Sequence, residues 1–178
     1  MGLLNKTKTY LIGHMEYING ESWRQYVTEE LNKLGIICYN PYKKPFIEPL
    51  EEGENVRAEL KEQIKLGNFE YVNTVMRKIR IFDLNLVDKS DYIIAHIKPE
   101  IASWGTAEEL TTANKCKRPI FCSIDGGKKN TPLWLLGMLP HKYFYDSIDD
   151  ILEMLRNIDS GKAKTDSNRW RLLREELR

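Results

Sequence analysis

Five short apolar runs, separated by stretches of helical periodicity, limit what this chain can become. Thr9-Tyr10-Leu11-Ile12-Gly13 is followed by Glu21 to Leu34, in which Trp23, Val27, Leu31 and Leu34 recur at helical spacing. Gly35 closes that helix, and Ile36-Ile37-Cys38-Tyr39 reads as a second buried strand stopped by Asn40-Pro41. The alternation resumes with Asp91 to Ile97 as a strand, Thr106 to Cys116 as a short helix and Pro119-Ile120-Phe121-Cys122 as a strand. Lys142 to Tyr145 supplies a fifth strand, and Ser147 to Ile158 a helix with Ile148, Ile151, Leu152 and Leu155 on one face. Such apolar strands suit a sheet covered on both faces, so the expectation is an α/β, three-layer sandwich around a mainly parallel five-stranded sheet.

The 178 residues fit one compact unit, here residues 1–160, with an insertion and a tail. From Tyr42 to about Gly53 three prolines and several acids break the periodicity, and Val56 to Ile81 carries a mostly polar helical pattern, so 42–80 reads as an inserted loop with helices. The tail, 161–178, sets Arg169, Arg171, Arg174 and Arg178 around Trp170, Leu172, Leu173 and Leu177. It either packs on a neighbouring subunit or lies as a solvated helix, the commoner fate.

A formal charge of +1 removes the main electrostatic argument for a nucleic-acid or membrane-surface binder. No apolar run reaches the roughly 18 to 20 residues needed to span a bilayer, and the start lacks a secretory layout, so a soluble, cytoplasmic protein with small-molecule partners is expected. Cys38, Cys116 and Cys122 show no CxxC spacing and sit in apolar stretches, which reads as three packed thiols. GxSxG, HExxH, P-loop and GxGxxG motifs are missing and the histidines are too scattered for a metal site, so serine-hydrolase, zinc-enzyme and P-loop ATPase readings are poor.

In open parallel sheets ligands bind beyond the carboxyl ends of the strands. After the first strand, Gly13 lets backbone approach a ligand closely. After the third, Ser103-Trp104-Gly105-Thr106-Ala107-Glu108-Glu109 puts two carboxylates in what reads as the first turn of a helix, where the macrodipole favours their ionised form. Thr106 with Glu109 also has the spacing of a capping box, which needs no catalysis. Asp83 precedes a short apolar turn and Asp91 opens a strand; both have plain structural readings, as a cap and as a surface residue.

Tyr10-Leu11-Ile12-Gly13, Trp23-Arg24, the Asn40-Pro41 strand end, Asp83 with Ser90-Asp91, and Gly105-Thr106-Ala107-Glu108-Glu109-Leu110 with Ala113 resemble, in that order, the nucleoside 2-deoxyribosyltransferase family, which includes nucleoside 5'-monophosphate N-glycosidases. The resemblance covers roughly residues 7 to 125, apart from the long 42–80 segment. It implies a flavodoxin-like fold, cleavage of an N-glycosidic bond with transfer of the sugar to water or another base, a homo-oligomer and no cofactor. It also implies Glu109 as nucleophile, Asp83 as the assisting acid, Glu108 as an exposed helix-start residue, and Tyr10, Gly13, Ser103, Gly105 and Asp91 around the substrate. Transferases acting on free nucleosides usually carry aspartate two residues before the glycine, where the monophosphate glycosidases often have serine. Ser103 follows the second pattern, and a hydroxyl beside helix amides suits a phosphate better than a carboxylate does, though it serves equally well as a plain cap on the turn before the helix. Arg24, Arg77 and Arg80 are then candidate phosphate partners, and Trp134-Leu135-Leu136 a candidate contact patch. Two alternatives remain: a TIR-type NAD-cleaving enzyme, whose loops have no match here, and a nucleotide-binding protein without turnover.

Overall fold

The computed structural model describes residues 2–15, 20–42, 54–166 and 168–173. Its elements run β1 Lys8–Gly13, α1 Gly20–Asn32, β2 Ile37–Tyr39, α2 Glu54–Lys65, α3 Phe69–Lys89 and β3 Tyr92–Ile97. They continue with α4 Trp104–Lys115, β4 Ile120–Ile124, α5 Leu133–Met138, β5 Phe144–Tyr145 and α6 Ile148–Asp159. The five strands form one parallel sheet in the order β2-β1-β3-β4-β5, the flavodoxin-like order.

The apolar runs become strands because the sheet is covered on both faces. Tyr10, Ile12, Ile93, Ala95 and Ile97 point into a core shared with α3, α4 and α5. Leu11, Tyr92, Ile94 and Phe121 point the other way, into a core shared with α1 and α6. β2 departs from the expected buried strand. It lies at the sheet edge with Ile37 exposed, and burial passes to Ile36 just before it. α6 starts where Ser147 and Asp150 form a reciprocal capping box, and it buries Ile151, Leu152, Leu155 and Ile158.

The insertion is a helical hairpin whose second arm is longer than the sequence suggested. α3 continues past Ile81 to Lys89, about 31 Å in all. Asp83 is therefore on a helix and not before a turn. Only the last part of α3 packs on the sheet core, through Phe82, Leu86 and Val87, so its amino-terminal half projects with α2 past the strand ends. The expected solvated tail is also different. Trp170 is buried against Tyr92 and Phe121, with ring centroids 5.4 and 5.8 Å apart, while Arg169 donates to the Arg118 carbonyl and to Asn114 Oδ1. Two aromatic rings on the sheet give Trp170 a place to bury that solvent cannot match. The tail residues Arg174, Leu177 and Arg178 lie outside the described residues. Among the thiols only Cys122 is fully packed; Cys38 is half-buried and Cys116, at the end of α4, is exposed.

Candidate active site

β1 and β3 are neighbours, and their chain connections leave in opposite directions, so a crevice opens beyond their carboxyl ends. A cavity of about 480 Å³ occupies it, within the range of small-molecule sites. Tyr10, Gly13 and His14 wall it on the sheet side, Ser103, Gly105, Thr106, Glu108 and Glu109 from α4, and Met76, Arg77, Arg80 and Asp83 from α3.

Glu109 is held from the sheet. Buried Tyr10 donates its phenol hydrogen to Glu109 Oε1 at 2.9 Å, fixing where this half-buried carboxylate points. The capping-box expectation fails for a simple reason: α4 begins earlier than Thr106. Ser103 is the N-cap, its Oγ accepting from the Thr106 amide at 3.3 Å, so Glu109 falls in the second turn and no acid occupies the first. Glu109 is thus not engaged in capping, and the first-turn dipole argument loses force because that field decays within one turn. Asp83 is buried on α3 and borders the same cavity, so two carboxylates from different helices converge beside the strand ends.

Glu108 is more than a helix-start acid. Arg80 forks onto it, Nε donating to Oε2 at 2.8 Å and Nη2 to Oε1, which ties α3 to α4 at the cavity rim and holds the Glu108 carboxyl below its usual range. Arg24 was expected near a phosphate, but its fully buried guanidinium serves β1. It donates to the carbonyls of Leu11 at 3.1 Å, Gly13 at 2.8 Å and His14 at 3.3 Å, and it lies 4.6 Å from the Trp23 ring centroid.

Gly13 is required by close approach. A Cβ there would meet the His96 carbonyl at 2.9 Å and the Trp23 ring at 3.1 Å. A Cβ on Gly105 would meet nothing within 4 Å, so neither space nor backbone conformation requires a glycine there. Asp91 is not brought to the site. It precedes β3 at the opposite end of the sheet, where its carboxylate accepts from the Lys8 amide at 2.8 Å, as a strand-entrance residue does.

Sequence reasoning passed over His14. It is buried at the carboxyl end of β1, 6.4 Å between ring centroids from His96, and burial, helped by Lys98 and Arg24, pushes its pKa down to about 4. The imidazole is neutral near pH 7. Its position directly after a strand-ending glycine was the available signal. Arg57, Met76 and Trp104 also border the cavity, and no local motif marks them.

No protein-family model matches the chain, and no curated protein matches it by sequence. Among solved structures, a 2-deoxyribosyltransferase from the psychrotolerant bacterium Bacillus psychrosaccharolyticus aligns over 82% of this chain and 90% of its own, with 17% identity and a TM-score of 0.54. A CMP N-glycosidase from Clostridium botulinum aligns over 84% and 98%, with 16% identity and a TM-score of 0.47. At such identities the likeness bears on the fold: the chain shares the α/β architecture of the first of these enzymes.

Proposed function

We propose that this chain belongs with the nucleoside 2-deoxyribosyltransferase-like enzymes and cleaves the N-glycosidic bond of a nucleoside or nucleoside 5'-monophosphate, with Glu109 as nucleophile. The observation that carries the reading is the Tyr10–Glu109 hydrogen bond beside buried Asp83, in a nucleoside-sized cavity at the strand ends. An oriented carboxylate can attack the anomeric carbon, and a second carboxyl group can manage the proton.

In the first half-reaction a Glu109 oxygen bonds to C1' as the C1'–N bond breaks. The bonding pair leaves on the base nitrogen, which takes a proton from the Asp83 carboxyl group. In the second, water or another base attacks C1', the ester bond returns its electrons to Glu109, and the attacking group's proton returns to Asp83. Neutral His14 and the Ser103 hydroxyl, which keeps its own hydrogen to donate while accepting the cap, are suited to hydrogen-bond the sugar or its phosphate. Arg77, on the α3 row that faces α4, supplies a cation for a phosphate. Trp104, Leu133 and Trp134 are each more than four-fifths exposed, which supports assembly into a homo-oligomer.

The test is a panel of nucleosides and their 5'-monophosphates incubated with and without a second free base, resolving released base from exchanged nucleoside. Cleavage lost in Glu109→Gln is expected, and turnover of no member would overturn the reading. Ser103→Asp should move preference from monophosphates toward free nucleosides through charge repulsion; sedimentation tests the assembly.

A further inference from the structure

α2 and α3 pack as a hairpin and leave a groove along it. Val56, Leu60 and Ile64 of α2 and Val72, Met76 and Ile79 of α3 bound a gap of about 250 Å³. Leu60 and Ile79 are buried along the gap, while Met76 and Ile64 are 41% and 46% exposed. It adjoins the reaction cavity, because Arg57, Met76 and Ile79 border both.

α3 presents two rows. Asn73, Arg77, Arg80 and Leu84 follow one another at helical spacing, and Arg80 binds Glu108 of α4, so this polar row turns toward α4. Met76, Ile79 and Asp83 form the other row, which leads from the reaction cavity into the gap. Along the helix axis Ile79 and Met76 stand about 6 and 10 Å from Asp83, the reach of a base extending away from a sugar held at the carboxylates.

Building on the nucleoside-cleaving reading above, we propose that the gap between α2 and α3 is a second compartment of the same site, which takes an alkyl or aryl substituent carried on the nucleobase. The compartment has aliphatic walls, and its bordering charged side chains, Arg57 and Lys61, are cationic. A neutral apolar arm suits those walls, and each methylene it buries should tighten binding about fourfold, the equivalent of about 0.8 kcal/mol.

The experiment measures binding by calorimetry, and base release in parallel, for adenosine and cytidine and their 5'-monophosphates, each unsubstituted or bearing a methyl, butyl or hexyl group on the exocyclic nitrogen. Affinity is expected to rise about fourfold per methylene up to butyl in one base series. Val72 and Ile64 border the gap and not the reaction cavity, so V72F and, as a second variant at a more exposed position, I64W should erase the gain and leave the unsubstituted compound unchanged. Cleavage of the unsubstituted compounds with no dependence on chain length overturns this proposal alone, as does a gain that survives both variants. Chain-length-dependent binding without base release keeps the compartment and overturns the enzymatic reading, and failure of every compound to bind overturns both.

Discussion

On its sheet side the cavity is bordered by Tyr10, Gly13 and His14, all buried, with Arg24 behind them tying the carbonyls of Leu11, Gly13 and His14 to one guanidinium. On its α3 side it is bordered by Met76, Arg77 and Arg80, all open to solvent and carried on α3 ahead of the stripe that packs on the sheet. The difference separates two tasks. A reacting carboxylate must be held to within a fraction of an ångström, which buried hydrogen bonds provide. Selection among substrates needs only side chains that can be exchanged without unfolding the core, and the projecting hairpin offers those.

The comparison breaks most visibly at Glu109. Glu109→Ala should lower base release by roughly three orders of magnitude or more, while urea unfolding reports a loss of only about 1 kcal/mol, because the residue is half-buried and caps nothing. Glu108→Ala, one residue away but tied to the exposed wall, should cost less than tenfold in the same assay. Next comes Tyr10→Phe, which removes the donor to Glu109 and should reduce kcat about 10- to 100-fold with KM little changed. Arg24→Met tests the support behind the wall. It strands buried carbonyls and should destabilise the fold by about 2 to 4 kcal/mol, read as a lower urea midpoint, whereas Arg77→Ala should leave that midpoint in place.

A further expected effect is a pH dependence. His14 titrates near 4 in the folded chain against an ordinary 6.5, mainly because burial penalises its cation. Between those values the unfolded chain binds more protons, so this contribution to stability is complete above about pH 6.5 and is lost as pH falls toward 4. His96 is shifted in the same direction, again chiefly by burial. His14→Gln should flatten the fall in urea midpoint over that interval, and an unchanged profile would show that His14 is not responsible.

How far the sequence could be read follows the same division. The strands of the sheet, the glycine ending β1 and the carboxylate on α4 are local signals, written in apolar runs and in residues next to them. What escaped needed long-range packing. Asp83 looked like a turn residue because its helix is buried only on the stripe of Ile79, Leu86 and Val87, a pattern that the polar first half of α3 obscures. Ser103 and Thr106 compete as caps by sequence alone, and only the path of the chain out of β3 selects Ser103. Trp170 owes its burial to rings 49 and 78 residues away, and Arg24 its role to carbonyls 10 to 13 residues away, which helical periodicity does not reveal. Asp91 failed for the converse reason. It lies next to an apolar run, as a site residue would, but at the strand's entrance and not its exit.

The central claim is that Glu109 forms a covalent bond to the sugar. Incubation with a 2'-fluoro-2'-deoxynucleoside, whose fluorine slows breakdown of a glycosyl ester, followed by peptide mass spectrometry, tests it directly. The account predicts a mass increase of one fluorosugar on the peptide containing Glu109, lost in Glu109→Gln. Base released from that substrate with no adduct, or an adduct on another residue, would contradict it.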